Sequence, residues 1–399
     1  MSRVDELVAE LAPEGVKQVP LSAVANYSDT RIEAAKLDER TFVGVDNLLA
    51  DKGGKTDASY PPNSARLTAY EAGDILLGNI RPYLKKVWLA TEVGGCSGDV
   101  LAIRISKMHR TLIEPRYLYY VLSADDFFAY SMQHAKGAKM PRGNKAAILS
   151  YRIPVPPIAV QREIVRILDQ FTQLEAELEA ELEARRRQLD FYRNRLLSFR
   201  DAGGVQWKQM GDLAEYKYGL TASANDSGAF RLLRITDIDA WGKLRQSDEK
   251  FVSASLVSDE YVVKPGDILM ARTGATFGKT MLVTSSQAAV FASYLIRIRF
   301  KEGNLDPTFY WHFAQSSLYW SQANAIVSSG GQPQFNANAL KVVRVPLPPL
   351  DEQLKVASLL DNFDTLVNDL SIGLPAELNA RRKQYEHYRD RLLTFDEAA

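Results

Sequence analysis

A long internal duplication is the feature of this chain that most limits its possible folds. The segment from Pro154 to Phe199 opens with Pro-Val-Pro-Pro, and a related segment from Pro346 to Phe395 opens with Pro-Leu-Pro-Pro. The repeat also reaches upstream, where Gly73-Asp-Ile-Leu is matched by Gly266-Asp-Ile-Leu. A duplication of this length predicts two similar modules in the order globule, helix, globule, helix.

The two repeated segments have the pattern of long helices with a single apolar seam. Apolar residues recur at steps of three, four and seven from Ile164 to Phe199, and the second copy repeats this pattern up to Phe395. A narrow seam on a helix of about 40 residues, roughly 60 Å long, cannot bury itself and needs a partner helix. We therefore predict that the two copies pair as an antiparallel coiled coil, which relates the halves by an approximate two-fold axis.

The second helical segment departs from the first near its middle. The first contains the near-identical units Leu174-Glu-Ala-Glu and Leu178-Glu-Ala-Glu, whereas the second is four residues longer and carries Gly373 and Pro375. Four residues add ~6 Å and a net rotation of about 40°, which a paired helix tolerates as a stutter. We expect Pro375 to kink or restart the second helix, because proline breaks helix interiors.

Antiparallel pairing would also bring the basic runs of one helix close to acidic residues of the other. The run Arg185 to Arg187 is expected near Asp364 and Asp369. The run Arg381 to Lys383 is expected near Asp169 and Glu175. Both helical segments carry more acidic than basic residues, so the basic excess of the chain lies in the globules.

The boundaries of the repeat divide the chain into four segments. We assign the first globule to residues 1–153, the first helix to 154–203, the second globule to 204–345 and the second helix to 346–399. Mixed α and β structure is predicted by β-rich runs and helix-like aromatic stretches at Val100 to Ile105, Tyr294 to Phe300, Tyr117 to Tyr130 and Phe309 to Trp320. The fold class is therefore α+β, with two similar mixed α/β domains separated by two long α-helices paired as an antiparallel coiled coil with pseudo-two-fold symmetry.

Composition restricts the classes of function. The chain has 399 residues and contains no apolar run near the ~18 residues of a membrane span, so we expect a cytoplasmic protein without a membrane partner. Its single cysteine, Cys96, excludes an internal disulfide and a cysteine-rich metal site. The four histidines are scattered, and no nucleophile elbow or dinucleotide fingerprint is present. We expect no catalytic, cofactor or metal site in this chain.

Each globule ends in a glycine-rich polar loop before its Pro-x-Pro-Pro motif. Cations that can contact phosphates and guanine edges crowd the first loop, and amides that can pair with adenine occupy the second. The candidate DNA-binding residues are Lys136, Lys139, Arg142, Asn144 and Lys145 in the first loop and Ser329, Gln332, Gln334 and Asn336 in the second. A solvated loop with a basic bias is the alternative, and 49 basic against 49 acidic residues argue mildly against a nucleic-acid partner.

A second pair of candidate loops follows the Gly-Asp-Ile-Leu turns. The candidate DNA-binding residues here are Arg81, Tyr83 and Lys86 in the first globule and Arg272, Thr273 and Lys279 in the second. The segment from Gly274 to Thr280 is also similar to a phosphate-cradling P-loop, but it has three residues between its glycines where that motif requires four. We therefore interpret it as a DNA-contacting loop and not as a nucleotide site.

The doubled motif resembles that of a known protein family. Each copy reads Pro-x-Pro-Pro-(Ile/Leu)-x-x-Gln and leads into a helix that ends in Arg-Arg-(Arg/Lys)-Gln-x-x-x-Tyr-Arg-x-Arg-Leu-Leu-(Ser/Thr)-Phe. The chain opens with Ser2-Arg-Val-Asp-Glu-Leu. Together these features resemble the specificity subunit of Type I restriction-modification enzymes, over essentially the whole chain.

The resemblance implies a function for each segment. The globules would be target recognition domains, each reading one half of a bipartite, asymmetric DNA sequence, and the helices would be conserved spacers that set the distance between the halves. Two methyltransferase (M) subunits would dock around the helices, and two translocase and nuclease (R) subunits would complete the restriction form. S-adenosylmethionine, ATP and Mg would bind to those partners, so this chain would be a non-catalytic subunit that binds double-stranded DNA.

Two alternative functions remain open. A DNA-binding module that works with a methyltransferase alone would have the same sequence features, and only a neighbouring translocase gene would distinguish it. A coiled-coil scaffold that binds only proteins is disfavoured by the paired basic and amide-rich loops. Absence of duplex binding in the presence of the methyltransferase would favour the scaffold.

Overall fold

The computed structural model describes residues 2–199, 205–327, 333–369 and 371–398. The chain forms two compact units, Met1–Glu177 with Asn379–Ala399, and Leu178–Leu378. Each unit therefore contains one globule together with a stretch of both helical segments. The helical segments are thus part of the compact units and not separate from them.

The first unit has two four-stranded sheets and one two-stranded sheet, in the orders β2-β9-β6-β7, β3-β5-β8-β4 and β1-β10. Its strands are β1 (Gln18–Pro20), β2 (Ala25–Tyr27), β3 (Arg31–Glu33), β4 (Phe42–Val43), β5 (Arg66–Tyr70), β6 (Ile75–Gly78), β7 (Val87–Leu89), β8 (Gly94–Cys96), β9 (Val100–Ile105) and β10 (Arg152–Pro154). Its helices are α1 (Arg3–Leu11), α2 (Pro115–Ser123), α3 (Asp125–Gln133), α4 (Lys145–Ser150) and the first part of α5 (Ile158–Ser198).

The second unit repeats the main sheet of the first, since its sheet orders are β12-β18-β15-β16, β14-β13-β17 and β11-β19. Its strands are β11 (Gln206–Gln209), β12 (Ala214–Tyr218), β13 (Phe230–Leu233), β14 (Phe251–Val252), β15 (Ile268–Ala271), β16 (Thr280–Leu282), β17 (Ala289–Phe291), β18 (Leu295–Phe300) and β19 (Arg344–Leu347). Its helices are α6 (Met210–Leu213), α7 (Pro307–Ala314), α8 (Ser317–Ile326), α9 (Ala337–Lys341), α10 (Leu350–Asn368) and the first part of α11 (Gly373–Leu392). The sequence duplication is therefore also a duplication of fold.

The expected strands are present, but each aromatic stretch forms two helices. Val100–Ile105 is β9 and Leu295–Phe300 is β18, each a central strand of its four-stranded sheet. Between α2 and α3 the backbone of Ala124 is extended, and between α7 and α8 the side chain of Ser316 caps the second helix. The aromatic pattern runs through both breaks because the rings of both helices face the core.

The core of each unit lies between the main sheet and its helices. All four residues of β6 and all four of β15 are buried, which agrees with strands covered on both faces. Tyr117 of α2 and Phe309 of α7 are fully buried against them. Burying large aromatic side chains is among the strongest contributions to a domain core.

A buried glutamine explains the repeated Pro-x-Pro-Pro-x-x-x-Gln motif. Gln161 accepts a hydrogen bond from the Glu114 N–H at 2.9 Å and donates to the carbonyls of Leu112 and Pro156 at 2.8 and 2.7 Å. Gln353 makes the same three bonds in the second unit, with the Asp306 N–H and the carbonyls of Asn304 and Pro348. Each glutamine thus joins the globule to the first turn of a long helix.

The first long helix is continuous, whereas the second is broken. Helix α5 has 41 residues, but the second segment forms α10 with 19 residues and α11 with 20. The helix restarts at Gly373, whose φ of 79° is left-handed. Pro375 lies in the first turn of α11, where proline is tolerated because its missing N–H has no helical acceptor. The second segment therefore restarts as expected, although α11 begins two residues before Pro375 and not at it.

Aromatic stacking pairs the long helices in each unit. Phe171 and Tyr388 stack with ring centroids 5.6 Å apart in the first unit, and their repeat counterparts Phe363 and Tyr192 stack at 5.9 Å in the second. In the first unit the Nε of Arg382 also donates to Glu175 at 2.6 Å. From Phe171 to Glu175 the chain moves towards the carboxyl end of α5, while the contacted residues move from Tyr388 to Arg382, towards the start of α11. The two helices therefore pair antiparallel, as the apolar seam predicted.

The acidic residues of the long helices have partners that the sequence did not indicate. Asp169 accepts hydrogen bonds from Arg116 at 2.6 Å and Tyr120 at 2.7 Å, both on α2. The Nζ of Lys243, in the second globule, lies 2.8 Å from Asp364. The globules pack against the helices and supply these partners, while Glu175 pairs with Arg382 of the second basic run, as expected.

The described residues lack a membrane-spanning helix and a metal-binding cluster. Within them, no helix has both the length and the apolar character needed to cross a membrane. The same residues contain no group of three or more histidine, cysteine, aspartate or glutamate side chains arranged to hold a metal ion. Cys96 is buried as a free thiol, and burial raises its pKa to about 12.

Candidate nucleic-acid interface

The two candidate loops of the first globule lie side by side. Residue 80 forms a β-bridge with Arg142. The Arg81 N–H donates to the Pro141 carbonyl at 2.7 Å, and the Gly143 N–H donates to the Asn79 carbonyl at 3.0 Å. We call residues 79–86 and 134–145 the first loop pair.

The second globule joins its candidate loops with the same two hydrogen bonds. The Gly274 N–H donates to the Pro333 carbonyl at 3.2 Å, and the Phe335 N–H donates to the Arg272 carbonyl at 2.8 Å. These four residues are the repeat counterparts of Arg81, Pro141, Gly143 and Asn79. We call residues 272–279 and 333–336 the second loop pair. Loops about 60 residues apart in sequence therefore form one surface in each unit.

A hairpin presents the cations of the first loop pair. Lys136 and Arg142 exchange two backbone hydrogen bonds, at 2.9 and 2.8 Å. Gly137 turns the hairpin with a φ of 97°, a conformation that favours glycine. Lys139 is exposed within this turn. The guanidinium of Arg142 is also exposed, although it lies 3.3 Å from Asp99.

The other loop of the first pair is held by an ion-pair cluster. Arg81 and Lys85 both have left-handed backbone conformations, with φ of 52° and 49°. The Nζ of Lys85 and that of Lys52 lie 2.8 and 2.9 Å from Asp125, and Arg389 lies 3.5 Å from it. Burial would raise the pKa of Asp125, but the hydrogen bonds from Lys85 and Lys52 lower it well below its usual value. A charged carboxylate therefore fixes this loop to α3 and α11.

Arg81 and Tyr83 project from this loop and are exposed, so both are available to a ligand. Lys86 differs, since it is half-buried and its Nζ donates to the Val45 carbonyl at 2.7 Å. Lys145 is exposed at the first turn of α4. The first loop pair thus brings together six exposed candidate residues: Arg81, Tyr83, Lys136, Lys139, Arg142 and Lys145.

The two asparagine candidates cap helices. The Oδ1 of Asn144 accepts from the backbone N–H groups of Ala146 and Ala147 at the start of α4. The Oδ1 of Asn336 accepts from Ala339 at the start of α9. Helix N-caps favour asparagine for this reason. Capping occupies the oxygen of each amide. The amide nitrogen is the atom that could donate a hydrogen bond to a base.

In the second loop pair an arginine lies between two exposed tyrosines. The guanidinium of Arg272 is 5.5 Å from the ring centre of Tyr218 and 5.6 Å from that of Tyr294. Its Nε donates to the Ser293 carbonyl at 3.0 Å. Cation–π contact on both sides restricts the side chain to one position. No pattern in the sequence indicated Tyr218 or Tyr294 as part of the interface, because both lie at strand ends outside the two loops.

The remaining candidates of the second globule differ in exposure. Thr273 is buried and forms a β-bridge with Gln334, which is half-buried. Lys279 is half-buried as well. Ser329 and Gln332 lie outside the described residues. The second loop pair therefore has fewer free cations than the first and more aromatic surface.

The comparisons with known proteins agree with this geometry. The family model for the Type I restriction modification DNA specificity domain matches residues 83–184 and 203–380. A Haemophilus influenzae protein assigned as a Type I restriction enzyme specificity subunit is 30% identical over 95% of this chain and 96% of its own length. The EcoR124I/EcoR124II specificity subunit of Escherichia coli is 31% identical, over 61% of this chain and 63% of that protein.

A solved structure shares the fold over almost the whole chain. It was determined in work on complex assembly and conformational transition of the type I R-M system, and it is 18% identical in sequence with a TM-score of 0.64. The alignment covers 95% of this chain and 97% of the other. Two sheet-containing globules with paired long helices are therefore an arrangement that this chain shares with a known protein.

Proposed function

The chain belongs to the family of Type I restriction modification DNA specificity proteins, and we propose that its two loop pairs read the two halves of a bipartite, asymmetric DNA sequence. The observation that carries this proposal is the pair of backbone hydrogen bonds that joins the loops in the same way in both units. A shared scaffold with different side chains suits two modules that bind the same kind of ligand but read different bases.

The side chains differ in the way that an asymmetric target requires. The first loop pair offers several exposed cations, which suit phosphates and guanine edges. The second offers one arginine that Tyr218 and Tyr294 hold in place. An arginine with a fixed guanidinium can bond a guanine at O6 and N7 and discriminate against other bases by about 1–3 kcal/mol. Arg272 is therefore our strongest candidate for direct base reading.

The long helices set the spacing between the half-sites and carry the partner subunits in this proposal. Helix α10 exposes four leucines, between 45% and 49%, at Leu350, Leu354, Leu359 and Leu366. Leucines exposed on a helix to this degree are suited to a protein partner. We assign these exposed leucines to contacts with the two methyltransferase subunits, with two translocase and nuclease subunits joining in the restriction form.

The chemistry of the complex would then lie outside this chain. S-adenosylmethionine, ATP and Mg would bind to the partner subunits, and this chain would contribute recognition without catalysis, acting on DNA in the cytoplasm. The sequence supports this division of labour, since it contains no nucleophile elbow and no dinucleotide fingerprint.

Replacing Arg272 with alanine tests the reading assignment. The methylated sequence should become degenerate at one position of one half-site, while the other half-site is unchanged. Lys301→Ala is the matched control. Tyr294 directly precedes β18 and Lys301 directly follows it, so this change removes one cation from the other end of the strand. Methylated adenines mapped across the genome of cells that express each variant give the readout. An unchanged motif in Arg272→Ala, or equal loss in the control, would contradict the proposal.

A further inference from the structure

The internal repeat allows the same helix positions to be compared in the two units. In the first unit, Arg382 and Arg389 lie one above the other on α11 and donate through Nε to carboxylates. Arg382 bonds Glu175 at 2.6 Å, and Arg389 bonds Asp390 at 2.9 Å. Arg389 is 1% exposed, so its charge is compensated inside the protein, as buried charges require.

The counterparts of these arginines in the second unit are Arg186 and Arg193 of α5. The Nε atoms of both are buried and have no hydrogen-bond acceptor among the described residues. Arg193 is 5% exposed, and burial lowers its pKa even though Asp190 and Asp364 oppose the change. A buried donor of a charged group that has no acceptor destabilises the folded protein, because it has given up its hydrogen bonds to water.

The sequence explains why the carboxylates are missing. The counterpart of Glu175 is Val367, which has no oxygen to offer. The counterpart of Asp390 is Asn194, whose Oδ1 instead accepts from the N–H and the hydroxyl of Ser317 at 2.8 and 2.7 Å. The second unit thus lacks both carboxylates that accept from the Nε atoms of the arginine pair in the first.

Both arginines line a single cavity of about 210 Å³ inside the second unit. Lys279 lines it too, and the guanidinium of Arg186 rests 4.3 Å from the ring centre of Trp241. Asn368 also lines the cavity, and its buried Oδ1 has no donor among the described residues. The cavity is therefore lined by two arginines whose Nε–H groups lack an acceptor, one lysine, and one amide whose oxygen lacks a donor.

Two carboxylates border the cavity but are already engaged. Asp190 accepts from Arg193 Nη1 at 2.8 Å, and Asp364 accepts from Lys243 at 2.8 Å and from Asn368 at 2.9 Å. Three lining cations against two lining carboxylates leave an excess of one positive charge. The volume is ample for a tetrahedral oxyanion together with a few waters, since a water occupies about 30 Å³ in the liquid.

We propose that this cavity binds an oxyanion of the phosphate class, which takes the place of the carboxylates that the first unit supplies from its own chain. Oxygens of the anion accept from the Nε–H groups of Arg186 and Arg193 and pair with Lys279. Free hydrogen phosphate can also donate its protonated oxygen to the Oδ1 of Asn368, whereas a DNA phosphodiester has no proton to donate there. The anion is either free phosphate or a phosphate of the DNA backbone, which Lys279 of the second loop pair would help to place.

Inorganic phosphate added to the full-length chain at constant ionic strength tests the site, with binding measured by calorimetry. Wild-type chain should bind one phosphate, and Arg186→Gln should weaken binding about tenfold, since it removes a charged hydrogen-bond donor from the site. Arg185→Gln is the matched control, because this neighbour has the same charge and its Nε donates to Glu181 on the same helix.

A second variant restores an internal anion without removing an arginine. Asn194→Asp introduces the carboxylate that the first unit has at residue 390 and should therefore also weaken phosphate binding. Displacement of the phosphate by saturating duplex DNA identifies a backbone phosphate as the occupant, whereas simultaneous binding identifies free phosphate. Absence of phosphate binding in the wild type, or equal binding in Arg186→Gln and Arg185→Gln, would overturn the proposal and leave a cavity that holds only water.

Discussion

The imidazole Nε2 of His312 lies 2.8 Å from a carboxylate oxygen of Asp361. At the equivalent position of the first unit, the Tyr120 hydroxyl donates to Asp169 at 2.7 Å. Each contact joins a globule helix to a long helix. The second unit thus has an imidazole, which titrates near neutral pH, where the first unit has a phenol. His312 is fully buried, and burial lowers its pKa below 6.5, although the hydrogen bond to Asp361 acts in the opposite direction.

This difference predicts a pH-dependent stability for the second unit. A histidine whose pKa is lower in the folded than in the unfolded chain binds fewer protons when folded, so acid favours unfolding. Stability should be constant above the unfolded pKa and fall as the pH drops below 6.5. His312→Gln should weaken this dependence. Thermal unfolding of both proteins between about pH 5 and 8 provides the measurement, with Tyr120→Phe as the control that keeps the wild-type pH dependence.

The buried glutamines should be essential for the stability of each unit. Gln161→Leu leaves one N–H and two carbonyls without their partner, which we expect to destabilise the first unit by about 2–4 kcal/mol. Gln170→Leu on the same helix replaces an exposed glutamine and should change stability by less than about 0.5 kcal/mol. Denaturant unfolding measures both, and similar values for the two variants would show that the buried hydrogen bonds contribute little.

The close contact between Gly15 and the carboxyl-terminal segment should stabilise the first unit. The Val16 N–H donates to the Asp396 carbonyl at 2.8 Å, and the Ala398 N–H donates to the Val16 carbonyl. A Cβ on Gly15 would lie 2.8 Å from the Ala398 nitrogen, whereas one on Gly303 would meet no atom within 4 Å. Both glycines have positive φ, which costs alanine about 1–2 kcal/mol. Gly15→Ala should therefore lower the unfolding temperature clearly more than Gly303→Ala, and equal shifts would contradict this contact.

The length of the paired helices should set the distance between the half-sites. Deleting Leu174 to Glu177 from α5 shortens it by ~6 Å and changes the rotation by about 40°. A rotation of about 40° is close to the twist of one base pair, although a shortening of ~6 Å exceeds the ~3.4 Å rise of one base pair. We therefore expect the preferred spacer to change by about one base pair. Methylome mapping of the deletion variant measures the spacer. An unchanged spacer would exclude the helices as the ruler.

The sequence predicted the parts of the structure that depend on a repeating pattern. The duplication, the apolar seam and strands β9 and β18 were predicted correctly, because burial of one face imposes a period on the residues that form it. The break before Pro375 was placed too late, since proline is a familiar helix breaker while the left-handed Gly373 gave no separate signal.

The candidate interface was less predictable for reasons of tertiary structure. Backbone hydrogen bonds bring the two loops of each globule together, and backbone groups are the same in every residue. Asn144 and Asn336 were selected for their amides, but a helix N-cap uses the same side chain. The stacking of Arg272 between Tyr218 and Tyr294 joins strand ends that are far apart in sequence, so it could not be read from either segment alone.

The most direct test is the genome-wide map of methylated adenines in cells that carry this gene and in cells from which it has been deleted. The proposal that each unit reads one half-site predicts a motif of two different short half-sequences separated by a fixed unspecified spacer, and that motif should disappear with the gene. A motif that persists without the gene, or one that is continuous and undivided, would contradict the account.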